Sequence, residues 1–303
     1  MPDVRDGARV PDVLDEANWL RRERAHRDRV AEFFARHRAG DPGPHPVWDF
    51  LFTYYSLKPR QLRRWHPGYG VVLTGRQARR YLGWSGYGTH PAGVTVTEAH
   101  LHSRADTVAF ILRMLRATAA RPARLNCFGM HEWAMVYRAP SVRHARVPLR
   151  LGAAATDAVV EATPLRCSHF DAFRFFTPAA RPLNTVQPTR QAQVASEQPG
   201  CVHTAMDLYK WCYKLGPLVE SALLVDCLEL AAEARELDMA ASPYDLSGYG
   251  LAAIRVEEPA GRAEYVRRQQ HIAARAAPLR DAIAERCAQL TATMSGQMDV
   301  TPG

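Results

Sequence analysis

Apolar positions along this chain follow a helical rhythm at both ends and shorter, strand-like runs in the middle. From 12 to 39 (DVLDEANWLRRERAHRDRVAEFFARHRA), Leu14, Trp19, Leu20, Val30, Phe33 and Phe34 recur at helical spacing and Gly40 ends the run, which predicts a first helix. Ser103, with Asp106 three residues on, makes a capping-box-like start for a second helix over 103–120, through Val108, Ile111, Leu112 and Leu115 to the Arg121-Pro122 stop. Between about 124 and 176 the pattern changes to short β-like runs (RLNCFG, EWAMVYR, RVPLRLG, DAVVEAT, RCSHFDAFRFF), which predict a small antiparallel or mixed sheet. A proline-rich stretch over 177–200 reads as a long ordered loop or a linker. The helical period returns in CVHTAMDLYKWCYKL, breaks at Gly216-Pro217, and resumes in LVESALLVDCLELAAEARELDM, where apolar residues run almost all round and predict a buried helix. A last amphipathic helix is predicted over 261–291, completing a helical block over 201–291, with 292–303 as a flexible tail. Helices, then a small central sheet, then helices describe one mainly helical α+β domain over 1–291.

Composition narrows the class. With 303 residues, 47% hydrophobic and 23% charged, the chain can bury a core, so fibrous, disordered and small disulfide-scaffold classes are excluded. No run approaches the roughly 18 apolar residues that span a bilayer, and the opening MPDVRDGARV has no apolar signal core; a cytoplasmic protein without a membrane partner is expected. The six cysteines are scattered with no CxxC pair, which points to reduced thiols and away from a zinc knuckle or a secreted framework. Nothing in the pattern calls for an obligate protein partner.

Charge changes the picture more. The net charge is +8, yet only Lys58, Lys210 and Lys214 are lysines, and an arginine-, alanine- and proline-rich chain is what a GC-rich genome encodes. Position is more telling than abundance: residues 50–196 hold 20 basic groups and only six acids. Phe50 to Thr97 contains no acid at all and interleaves cations with rings, making Arg60, Arg63, Arg64, Tyr54, Tyr55 and Trp65 candidates for holding phosphates and stacking bases of DNA. The alternative is that the rings are core and the arginines a solvated rim.

No GxGxxG, P-loop, GxSxG or HExxH signature is present, so candidate chemistry rests on polar residues in apolar surroundings. Glu132, beside His131 in CFGMHEWAMVYR, is expected to be buried, as an acid or base or in a salt bridge to Arg138 or Arg143. His169 and Asp171, two apart in RCSHFDAFRFF, would share one face of a strand, either as a structural pair or with Asp171 stabilising an oxocarbenium-like sugar. His203, Asp207, Lys210 and Lys214 form one polar stripe on an otherwise apolar helix, facing either solvent or the same cavity as His169 and Asp171. His169, Asp171 and His203 also match the ligand types of a 2-His-1-carboxylate iron site, which would make the chain a mononuclear non-heme enzyme using iron or another divalent metal on a small molecule.

The segments HPVWDFLFTYYSLKPRQLRRWHPGYG (45–70), CFGMHEWAMVYR (127–138), CSHFDAFRFFTPAARPLN (167–184), PTRQAQVASEQPGCVHTAMDLYKW (188–211) and ASPYDL (241–246) resemble the actinobacterial proteins commonly described as 3-methyladenine DNA glycosylases. The helix-hairpin-helix of one glycosylase superfamily and the HEAT-like repeats of another are both absent from this sequence. The resemblance implies a DNA-repair hydrolase that excises alkylated purines by base excision, with DNA as partner and no cofactor. For such a reaction the chemistry of the residues themselves, and not the resemblance, puts Asp171 at the sugar, Glu132 or Asp207 in the role of orienting water, and His169 or His203 in that of orienting those acids.

Overall fold

The computed structural model describes residues 11–38, 45–140 and 146–298. A short strand, β1 (Asp12–Leu14), precedes α1 (Glu16–Arg38); the Asp15 carboxylate accepts the Asn18 amide at 2.8 Å and starts the helix four residues later than the apolar pattern predicts. Two short helices, α2 (Asp49–Thr53) and α3 (Pro59–Leu62), lead into β2 (Val71–Leu73), a 3-10 segment at Arg76–Gly83, and a hairpin of β3 (Tyr87–His90) and β4 (Gly93–Val96). The four strands form one mixed sheet in the order β1-β2-β4-β3, with β1 and β2 parallel and the other pairs antiparallel. Its buried face carries Leu14, Leu73, Val94 and Val96 into the main core.

The fold is therefore α+β with a small mixed sheet, but the sheet lies within 12–96 and not over 124–176. The helix predicted over 103–120 is α5 (Ala105–Ala119), preceded by α4 (Glu98–Ser103), and beyond them the β-like runs contain the helices α6 (Met130–Ala134), α7 (Gly152–Ala162) and α8 (Phe170–Phe173). Thr97 caps α4, accepting the His100 amide at 3.2 Å, and Ser103 closes that helix while Arg104 stands at the start of α5. An apolar run of four or five residues fits one helical turn as well as a strand, and here the turns win because of what precedes them. Phe128 and Gly129 both have positive φ, 51° and 71°, and swing the chain directly into α6. Gly129 is also closely packed: a Cβ there would sit 3.1 Å from Ala241 Cβ.

The 177–200 stretch is ordered around α9 (Gln193–Ser196), and α10 (Val202–Leu215), α11 (Ser221–Ala240) and α12 (Pro259–Met298) close the fold. These last three pack against one another, and α5 packs on α12. Residues 292–298 of the expected flexible tail belong to α12, where Met294 is buried and the Ser295 hydroxyl bonds back to Thr291 O; 299–303 lie outside the described residues. Among the described residues no helix is long and apolar enough to cross a membrane. Every residue from Val202 to Cys212 on α10 is buried. A helix with no solvent face must satisfy its polar side chains inside the protein, and that requirement builds the site.

Candidate active site

Three of the four residues in the α10 stripe, His203, Asp207 and Lys210, are buried, whereas Lys214 is exposed. The Lys210 ammonium bonds the Asp207 carboxylate and reaches Asp171 Oδ2 at 3.3 Å. Asp207 is further held by the Tyr55 hydroxyl, which donates to Oδ1 at 3.0 Å, and by His169 Nε2, 3.2 Å from Oδ2. His169 is the N-cap of α8: its Nδ1 accepts the Ala172 amide at 3.3 Å, so the proton of the neutral ring resides on Nε2 and is donated towards Asp207. Glu197 Oε1 lies 3.4 Å from the same Nε2 and accepts Gln193 Nε2 at 2.6 Å. Asp171, one turn into α8, receives Arg190 Nη2 at 2.8 Å and has Arg174 Nε at 3.5 Å. Thus His169 and Asp171 do come together, through a helix cap and first turn and not through strand alternation.

A second buried cluster joins α6 to α11. Arg235 Nη1 donates to Glu132 Oε1 at 2.9 Å and to Asp238 Oδ2 at 3.0 Å, and His131 Nε2 lies 2.6 Å from Asp238 Oδ1. The salt-bridge partner of Glu132 is therefore Arg235. Arg138 instead pairs with Glu161 at 2.7 Å, and Arg143 lies outside the described residues. The His203 ring stands between the clusters, with ring centroids 4.4 Å from His131 and 5.3 Å from His169.

These contacts set the protonation states. Burial works against an ionised Asp207, but Lys210 and His169 outweigh it and hold its carboxyl well below the usual range. Lys210 is raised: burial opposes its charge and Asp207 and Asp171 restore it. His131 is likewise raised, with Asp238 overcoming burial, whereas His203 is driven well below its ordinary value by burial and by the neighbouring His131. Burial raises Glu197 despite His169. The result is a set of fixed charges with a neutral imidazole, His203, in their midst.

Both clusters face a cavity of about 510 Å³ whose lining includes Glu132, His169, Asp171, His203, Asp207 and Arg235 together with Phe50, Tyr54, Tyr55 and Phe175. Phe50 and Tyr54 stack with centroids 4.8 Å apart and planes at 8°, and the exposed Arg174 guanidinium covers Phe175 at 4.4 Å. No family model, curated protein or solved structure matches this chain. The reading of the cavity therefore rests on its own geometry.

All five proposed catalytic residues, Asp171, Glu132, Asp207, His169 and His203, line this one cavity. The iron triad does not form. Among the described residues, the metal-capable sets whose ligand atoms approach within 4.8 Å are His131–His203–Asp238 and His169–Glu197–Asp207, while Asp171 is engaged by two guanidinium groups and an ammonium. The proposed DNA contacts divide. Tyr54 and Tyr55 line the cavity, and Arg60, Arg63 and Arg64 are exposed, Arg64 lying over Trp84 at 5.2 Å. Trp65 is buried in the core, so its ring is no surface platform. Arg235, Asp238, Glu197, Arg174 and Arg190 were not singled out from sequence. Arg235 and Asp238 did carry a signal, because charges three apart within a helix apolar all round must be paired.

Proposed function

We propose that the chain is a DNA N-glycosylase that excises alkylated purines such as 3-methyladenine. One observation carries this reading: a single cavity combines aromatic rings with buried, cation-paired carboxylates. Its volume of about 510 Å³ falls among small-ligand pockets, which run from roughly 300 to 1,000 Å³. A flipped purine needs a ring to stack on, and a positively charged 3-alkylated purine gains a further cation–π attraction from Tyr54 or Phe175.

In this scheme the alkylated base leaves with the bonding electron pair of its glycosidic bond, and the sugar passes through an oxocarbenium-like state. Asp171, 7% exposed against 4% for Glu132 and 1% for Asp207, stabilises that positive charge electrostatically. Its three cationic neighbours fix it in place; they also lower its effective negative charge, which suits a lesion whose bond is already weakened. Glu132, held by Arg235, accepts a hydrogen bond from the attacking water, whose proton is released to solvent as its oxygen bonds to the sugar carbon. Asp207 is fully engaged by Tyr55, His169 and Lys210 and acts as a positioning residue for Lys210 and Asp171. The exposed Arg174 and Arg190, both beside Asp171, are suited to phosphates flanking a flipped nucleotide.

Binding of a duplex carrying a cationic pyrrolidine abasic analogue tests this reading, because the analogue mimics the charged sugar. Wild type is expected to bind it at least ~30-fold more tightly than Asp171→Asn does, about 2 kcal/mol at 1.4 kcal/mol per tenfold. Equal affinities would refute the role of Asp171.

A further inference from the structure

A second cavity, of about 380 Å³, lies on the other side of His203 and His131, and Cys127, Cys201, Tyr265 and Gln269 contribute to its wall. Beside it, three ligand-type residues converge, of which His131 and Asp238 are joined at 2.6 Å and His203 is left out. His131, His203 and Asp238 each bring one metal-ligating atom within 4.8 Å of the other two, and all three residues are buried. His203 is 7% exposed and, among the described residues, has no hydrogen-bond partner for Nδ1; its closest charged neighbour, Asp238 Oδ2, is 4.0 Å from Nε2. The fully buried Tyr265 hydroxyl is also without a partner. Buried polar atoms left unpaired are costly, and such an arrangement asks for a ligand.

We propose that His131, His203 and Asp238 bind a divalent transition cation of the zinc type, with the adjoining cavity supplying room for a water as fourth ligand. Two imidazoles and a carboxylate suit this class of cation, and tetrahedral zinc accepts three protein ligands with one open position. The supporting contacts are those a bound ion requires. Cys127 Sγ lies 3.6 Å from His131 Nδ1 and can accept its proton, leaving Nε2 for the cation, while Arg235 holds the second oxygen of Asp238 at 3.0 Å. Binding displaces the proton that joins His131 Nε2 to Asp238, and that proton passes to solvent. The neighbouring set His169–Glu197–Asp207 lacks this capacity: the Ala172 amide occupies His169 Nδ1, so Nε2 keeps its proton and neither ring nitrogen is open to a cation. The metal site goes beyond the glycosylase reading and stands or falls separately from it.

The test is titration of the full chain, stripped by a chelator and dialysed, with Zn²⁺ followed calorimetrically and with Co²⁺ followed by its visible absorption. One equivalent is expected to bind with Kd below about 1 µM, to give the intense Co²⁺ absorption of a four-coordinate site, and to raise Tm by about 5 °C at saturating Zn²⁺. His203→Gln is expected to weaken binding at least 100-fold, whereas His169→Gln keeps one equivalent. Wild type that binds no Zn²⁺ more tightly than about 10 µM overturns the proposal without recourse to any variant. Retention of full affinity by His203→Gln, or loss of binding in His169→Gln alone, overturns it as well. Base release from alkylated DNA is not the readout, so failure here leaves the glycosylase reading intact.

Discussion

Lys210→Met removes the ammonium that lies between two buried carboxylates, and its cost follows from the geometry. Asp171 Oδ2 is 3.3 Å from Nζ and Asp207 is bonded to it directly. At an effective dielectric near 20, one pair at 3.3 Å is worth about 5 kcal/mol of Coulomb attraction. Methionine also escapes the desolvation of the ammonium, so the net loss falls within the ~3–5 kcal/mol seen when one partner of a buried pair is removed. Tyr55 and His169 still hold Asp207, which argues for the lower half of that range. Urea unfolding of wild type and Lys210→Met measures the difference, and the double variant Asp207→Asn/Lys210→Met is expected to be more stable than Lys210→Met alone. The folded pKa of Asp207 is depressed, so the stability it contributes is present above its unfolded value of about 3.9 and is lost as pH falls below that value. The deficit of Lys210→Met should therefore narrow as pH is lowered through 4. A loss under ~1 kcal/mol at pH 7, or a double variant weaker than the single one, would refute the claim that Lys210 exists to neutralise Asp207 and Asp171.

Three other outcomes are expected. Asn184→Ala should cost about 2–4 kcal/mol in urea unfolding, because the Asn184 side chain accepts Cys167 N at 2.8 Å and donates to Cys167 O at 2.8 Å and Val186 O at 2.6 Å, tying the 177–200 loop to the strand-like entry of α8. His66 is pulled down to about 4 by burial and by His26 and Arg64; stability should fall as pH drops from about 6.5, its unfolded value, to about 4, and His66→Asn should flatten that slope in pH-dependent melting. Tyr55→Phe leaves the ring in the cavity wall but takes a hydrogen bond from ionised Asp207, so a loss of about 1.5–3 kcal/mol in stability is expected, and no measurable change would exclude the bond.

The chain displays its helices plainly and its sheet hardly at all. Helices α1, α5, α10 and α11 repeat their apolar positions over several turns, which is enough to be read. The strands are only three or four residues long; β1 precedes α1, and the other three sit among the arginines and rings of 71–96, where their alternation is too brief to register. The opposite error arose at 124–176, where single helical turns carry bulky apolar and aromatic residues. At the site, His169, Asp171, His203 and Asp207 were legible because each is a polar residue in apolar company. Glu197 was hidden in a proline-rich loop whose polarity looked unremarkable, and it becomes significant only when that loop is folded back against His169. Arg235 and Asp238 were masked by the strength of the apolar signal around them, although a fully buried helix gives such charges nowhere to go but towards one another and towards α6.

Release of free 3-methyladenine from alkylated duplex DNA by the purified protein, measured with enzyme in excess over lesions, bears most directly on the proposed function. The account expects wild type to release the base, chelator treatment to leave the rate within twofold, and Asp171→Asn to slow it by about 100-fold or more, near the 2.7 kcal/mol typical of a removed electrostatic contact at a reacting centre, while DNA affinity stays unchanged. No release by wild type, or release at the same rate by Asp171→Asn, would contradict it.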